Sequence, residues 1–246
     1  MRGLSCIWAV CWLLVVSGCG ASDRAGWLEG ERGYVVRVMD GDTFALNTGQ
    51  VVRMVSIEAP SFAYRSREEM PFAEEAKEAL EHLVLGREVS LLYPGLTRDR
   101  YDRALAQVYV RQEQGGEIWV NQAMVRSGHA WVRLYPDTAG GSEELWADEE
   151  AARLEDRGLW AGDSPIAATG DVLEANRFVI LQDVSARPTL SKNICIARLK
   201  RRGINVQFPA SENKCRNGEG STMEYRGWFN GETLRLDSAE NIRNVL

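Results

Sequence analysis

A largely apolar run from Tyr34 to Met39, broken only by Arg37, and a second from Phe44 to Leu46 flank Asp40-Gly41-Asp42 in "YVVRVMDGDTFAL". Strand-like segments on both sides of an Asp-Gly pair predict two antiparallel strands joined by a tight turn. A second turn, Asn47-Thr48-Gly49, leads into "QVVRMVSI", so the first three elements are expected as a meander. "EAPSFAYRSREEM" then reads as a loop, Pro60 limiting its strand character. The pattern changes next: Phe72, Ala76, Leu80 and Leu83 mark one face of a helix that Pro71 opens and Gly86 closes. Strands follow at "EVSLLY" and "RALAQVYV", and a short helix at "VNQAMVRSG". A third helix is expected from Ser142, read as its N-cap, to Arg157-Gly158.

Three strands, a helix, two strands and two helices fit an α+β plan: a five-stranded Greek-key barrel of the OB type carrying three helices. Trp160 to Pro165 reads as a boundary. Beyond it, residues 172–246 hold short strand candidates punctuated by Gly and Asn, which predicts a small all-β unit, OB-like closure left open. Length, with 45% hydrophobic and 26% charged residues, suits one or two globular units and excludes a disordered chain.

The N-terminus changes the picture. Arg2 precedes an apolar run from Leu4 to Val16, the pattern of an export signal rather than a spanning helix. Val16-Ser17-Gly18-Cys19 resembles the lipobox of bacterial lipoproteins. Residues 1–19 are therefore expected as a lipoprotein signal with Cys19 lipidated, 20–32 as a linker, and 33–162 as the first domain. That resemblance implies an exported protein, anchored by lipid to the cell envelope, at the outer membrane or periplasm in a Gram-negative cell; ordinary cleavage near Gly18 or Ala21 is the alternative. Only Cys195 and Cys215 then remain, a candidate disulfide in an oxidising compartment.

Charge is uneven. Residues 1–171 carry 17 Lys and Arg against 27 Asp and Glu, whereas residues 172–246 carry 12 against 8. An acidic body repels polyanions, so a nucleic-acid partner requires a local cleft or the C-terminal unit.

Within this pattern lies candidate chemistry. A carboxylate held at the Asp40–Asp42 turn suits a hard cation. Arg53 and Glu58 sit on the following strand, on opposite faces by strict alternation unless a bulge intervenes, and Arg103 precedes a later strand. Two arginines with two carboxylates suit metal-assisted phosphoryl transfer, in which guanidinium forks clamp phosphate oxygens. Four spaced motifs carry a more specific signal: Asp40-Gly41-Asp42-Thr43; Arg53 with Glu58-Ala59-Pro60; Asp99-Arg100-Tyr101-Asp102-Arg103; and Val120 to Gly128.

Together they resemble the staphylococcal (thermonuclease-type) nuclease family over about residues 33–160. The resemblance implies Ca²⁺-dependent hydrolysis of DNA or RNA phosphodiesters. It implies Asp42 as a direct calcium ligand, Glu58 as the second carboxylate and the Ala59 carbonyl as a further ligand, with Asp40 behind them. Arg53 and Arg103 would bind the scissile phosphate, with Tyr101, Trp131, Tyr135 and Arg100 bordering the nucleotide. The family's acidic residue after this proline, credited with activating or orienting water, is here Ser61, and Glu58 replaces the usual aspartate. Two readings stay open: a nuclease slowed at Ser61, and a degenerate nuclease fold that binds nucleic acid or protein. Glu68 and Glu69 follow in the loop.

In the C-terminal unit, Arg198, Lys200, Arg201 and Arg202 are candidate phosphate contacts, with Phe208 or Trp228 for stacking; a charged edge strand over buried aromatics is the alternative. His82 and His129 lack ligand partners at useful spacing and are read as structural, and the glutamates of the first helix as a solvated face.

Overall fold

The computed structural model describes residues 24, 26–64, 68–162, 164, 166–167, 173–211, 215 and 220–245. The signal segment and Cys19 lie outside them. The N-terminal unit runs β1 (Leu28–Asp40), β2 (Thr43–Leu46), β3 (Val51–Met54), β4 (Ile57–Glu58), α1 (Ala73–Val84), β5 (Glu88–Tyr93) and β6 (Ala104–Arg111). It continues with β7 (Glu117–Trp119), α2 (Val120–Arg126), β8 (Trp131–Val132) and α3 (Ser142–Leu154).

The sheet order β3-β2-β1-β5-β6 closes on itself because β6 also pairs with β3, in parallel, through Val52–Ala104, Arg53–Leu105 and Met54–Ala106. Closure removes the exposed edges that an open meander would leave. Val35, Val38, Phe44, Val52, Leu91 and Val108 fill the interior, each at most 4% exposed. Helix α1 caps the barrel with Ala76, Leu80 and Val84, all fully buried.

Three local expectations shift. Helix α1 begins at Ala73, not Pro71, because Phe72 stands at φ 69°, left-handed and outside the helix. Gly141, at φ 73°, takes the N-cap position expected for Ser142, which becomes the first helical residue. Residues 28–32, expected as linker, extend β1 and pair with β5 from Leu28–Tyr93 to Arg32–Ser90.

The C-terminal unit is all-β: β9 (Arg177–Val184), β10 (Thr189–Ser191), β11 (Ile194–Arg198), β12 (Asn205–Pro209), β13 (Thr222–Phe229), β14 (Thr233–Arg235) and β15 (Ile242–Asn244). They form one sheet, β10-β11-β12-β14-β13-β15, with β9 also on β13 and β12–β14 parallel. Val206, Phe208, Tyr225 and Leu234 make its core. A disulfide joins Cys195 to Cys215 across a Cα–Cα distance of 5.5 Å.

The two units share a third core, in which Trp131, Ala152, Leu159 and Trp160 meet Phe178 and Ile180. Beside it lies a buried ionic network. Arg226 of β13 donates to both oxygens of Glu149 on α3 at 2.7 and 2.6 Å, to Glu224 at 2.6 Å and to the Val132 carbonyl at 3.1 Å. Arg153 completes it, 2.6 Å from Glu149 and 2.7 Å from Glu224.

Burial alone would raise the Glu149 carboxyl, but the charges of Arg226 and Arg153 hold it down at about 2, below its usual 4.5. A depressed carboxyl contributes stability above its unfolded value and loses it as pH falls through the folded one. Urea midpoints are therefore expected to drop between about pH 4.5 and 2. Replacing Arg226→Met leaves two buried carboxylates short of a partner and is expected to cost about 3–5 kcal/mol in the same urea titration at neutral pH.

Candidate active site

The Asp40–Asp42 turn joins β1 to β2 with Asp40 opposite Thr43. Gly41 is required there: a Cβ would sit 2.6 Å from that of Ala59 and 2.7 Å from that of Ala76. This close packing presses the turn against the strand end that carries Glu58. Asp42, 4% exposed, accepts from the Ala59 N–H at 2.8 Å and the Thr43 hydroxyl at 2.9 Å, and pairs with Arg53. Asp40 receives the Asp42 N–H at 3.1 Å.

Strict alternation puts Arg53 and Glu58 on opposite faces, and a backbone kink overrides it. Ser56 adopts φ 65° between β3 and β4, a costly left-handed conformation for a non-glycine residue. It is held there because its hydroxyl donates to the Thr138 carbonyl at 2.8 Å and accepts from Gln107 at 3.1 Å. Beyond the kink Glu58 turns back, and Arg53 donates to its Oε2 at 2.6 Å. Ala59 is buried beside Asp42, with its N–H and not its carbonyl as the recorded contact.

Arg103 is held by Asp99, Nε donating at 2.7 Å, and Asp99 also accepts the Arg103 and Tyr101 N–H groups. Burial opposes ionisation of Asp99, yet these bonds keep its carboxyl below the usual range. Arg53 and Arg103 line one cavity of about 250 Å³ together with Leu96, Asp99, Tyr135 and Thr138. Tyr135 is 40% exposed at its wall; burial, against the pull of Arg133, pushes the phenol up to about 12, so it stays neutral and presents a ring and a hydroxyl.

Of the other expected contacts, Tyr101 is 66% exposed beside Arg103, whose guanidinium lies 5.7 Å from its ring centre, with Arg100 at 4.8 Å from the same centre. Trp131 is 1% exposed and packs against Phe178, so it faces the shared core and not a nucleotide. In the C-terminal unit Arg198, Lys200 and Arg201 are exposed, whereas Arg202 is folded against Asp183 and the Gln182 carbonyl, 7% exposed, and is structural. Phe208 is core, 1% exposed.

Ser61 lies on a second cavity, about 280 Å³, with Glu68, Glu69, Phe178 and Trp228. The Met70 N–H donates to the Ser61 carbonyl at 2.9 Å, which folds the loop so that both glutamates share this lining.

Arg133 was not anticipated. Its Nη1 donates to Glu58 Oε2 at 3.0 Å, and its Nε and Nη2 to Asp237 at 2.9 and 2.8 Å. The sequence carries no signal for this contact, because Asp237 comes from the other unit, 104 residues away.

Five carboxylates, Asp40, Asp42, Glu58, Asp99 and Asp237, thus face three guanidiniums, those of Arg53, Arg103 and Arg133. Burial raises the Asp40 carboxyl despite the charge of Arg53, and the charge on Glu58 raises it further. Glu58 is pushed up by burial but held below its usual value by Arg53 and Arg133. Asp42 and Glu58, which both pair with Arg53, are oxygen donors of the kind a hard divalent cation takes. Among the described residues, no three acidic, histidine or cysteine side chains converge closely enough to hold an ion by themselves.

Comparison with known proteins gives a consistent result. The family model described as "Staphylococcal nuclease homologue" matches residues 51–162. The chain is 34% identical over 137 residues to an "Uncharacterized endonuclease" of Escherichia coli O157:H7, covering 54% of this chain and 80% of that protein. It is 33% identical over 136 residues to a Haemophilus influenzae protein of the same description (54% and 67%), and 25% identical over 130 residues to the "Thermonuclease" of Staphylococcus hyicus (52% and 74%).

Because Trp131 is core, Trp131→Ala is expected to lower stability by about 3–5 kcal/mol in chemical denaturation. Oligonucleotide affinity of the protein that remains folded is expected to stay unchanged in a fluorescence anisotropy titration.

Proposed function

The chain belongs to the staphylococcal nuclease family, and on that premise we propose that it is a Ca²⁺-dependent nuclease hydrolysing DNA or RNA outside the cytoplasm. The observation that carries this reading is the single cavity lined by both Arg53 and Arg103, with Asp42 and Glu58 on the Arg53 side. Two guanidinium forks on one cavity suit a phosphodiester, whose oxygens accept paired N–H donors. Arg103 is held in place by Asp99, so it needs little reorganisation to meet charge that develops on the phosphate, whereas Arg53 is paired with Asp42 and Glu58. Tyr135 at the wall supplies a ring against which a base or sugar packs.

Asp42 and Glu58 would hold the cation, Asp40 adding negative charge behind them. Bound there, calcium supplies Lewis-acid polarisation of a phosphate oxygen. In this structure Arg53 occupies the carboxylate oxygens that face it, so cation binding and the Arg53 pairs compete for Asp42 and Glu58. That competition, together with serine at position 61, favours as second reading a binding module in which the ion pairs persist.

Single-stranded DNA and RNA offered to the chain from residue 20 in Ca²⁺ should be cleaved, and not in EDTA or by Asp42→Ala. Arg53→Gln and Arg103→Gln are each expected to lower the rate about 10²–10³-fold. Ser61→Glu is expected to raise it, by up to about 10²–10⁴-fold, the usual contribution of a general base. Binding without cleavage in wild type and Ser61→Glu alike would leave the second reading.

The proposed export and lipid anchor rest on the sequence before Gly20. Mass spectrometry of the membrane fraction is expected to find a lipidated Cys19 as the first residue; an unmodified N-terminus beyond it would exclude the anchor.

A further inference from the structure

Arg133 lies where the two units join, and the chain brackets it. On one side Arg226 of the C-terminal unit donates to the Val132 carbonyl at 3.1 Å. On the other, Asn241 exchanges two hydrogen bonds with the Leu134 backbone, at 3.1 and 2.9 Å. The guanidinium between them is 8% exposed and lies 5.0 Å from the Tyr135 ring centre, 5.2 Å from that of Phe178 and 5.8 Å from that of Trp228. Aromatic rings of both units thus wall it in, and its N–H groups are divided between one carboxylate of each: one on Glu58, two on Asp237.

This division matters because Glu58 uses one oxygen, Oε2, for both Arg53 and Arg133. No contact of its other oxygen is recorded among the described residues. A guanidinium wholly committed to Glu58 would take that oxygen as well, in the paired geometry arginine prefers with a carboxylate. Asp237 prevents this by engaging the rest of the fork and balancing its charge.

We propose that Arg133 and Asp237 are positioning residues through which the C-terminal unit sets the cation affinity of Glu58. The inference rests on the nuclease site described above. Arg133 lowers the negative charge that Glu58 offers to a cation, and Asp237 restores part of it. The two residues therefore act with opposite sign.

The test is calcium titration by calorimetry, on the chain from residue 20, beside cleavage rates measured across calcium concentration. Asp237→Asn is expected to weaken calcium binding about 10-fold, within the range for groups that orient metal ligands, with the rate at saturating calcium largely kept. Arg133→Gln is expected to tighten binding by a similar factor, and Asp237→Glu to restore the wild-type value. Arg243→Ala, which removes a rim pair with Glu150 at 3.7 Å across the same interface, is expected to change nothing.

Weakening of binding in both Asp237→Asn and Arg133→Gln would mean a merely structural role and overturn the proposal. So would wild-type binding in both, with the nuclease reading intact. Should one variant fail to fold, the sign of the other decides. Absence of calcium binding and cleavage in the wild type would instead remove the nuclease reading, and this inference with it.

Discussion

One buried guanidinium holds the architecture together. Arg226 has no exposed surface, and neither has its partner Glu149. Desolvating both is costly, and the cost is offset only because every direction around Arg226 holds an acceptor: Glu149, Glu224 and the Val132 carbonyl, with the Trp146 ring centre 4.1 Å away. That geometry exists only when the C-terminal sheet sits on α3 and β8. Apolar residues of equal volume often do as well energetically, but removing one partner here would leave a buried charge unpaired.

From there the constraint reaches the candidate site in a few bonds. Val132, whose carbonyl Arg226 holds, pairs with Ile57 in the β4–β8 ribbon, and Glu58 pairs with Trp131 beside it. Arg133 follows directly, between Glu58 and Asp237. Glu58, which pairs with Arg53, is thus oriented from two directions: by the Ser56 kink within its own strand and by the docked sheet.

Much of this was legible in the chain. The apolar runs and the two turns define the meander, and the 3.6-residue spacing places α1 to within two residues. The four spaced motifs identify Asp42, Arg53, Glu58 and Arg103, which the structure gathers. What escaped depends on contacts that sequence spacing does not encode. The Arg53–Glu58 pair violates strand alternation, because Ser56 is fixed by Thr138 and Gln107, far along the chain. Trp131 looks like a binding-site aromatic until Phe178 covers it. Arg202 looks like a phosphate contact until Asp183 folds it inward. Residues 28–32 look polar and loop-like because this end of β1 pairs with β5 through its backbone while its side chains stay largely exposed.

The third core carries a consequence for how such proteins diverge. Trp131, Leu159 and Trp160 belong to the nuclease unit, yet their apolar surfaces are covered by Phe178 and Ile180. A gene rearrangement that separated the halves would leave the first with a bare aromatic patch, a surface that promotes clumping in solution. The junction near residue 162 marks a change of architecture without being a seam along which the chain can be cut. Relatives that lack the second half are expected to carry polar side chains at these positions.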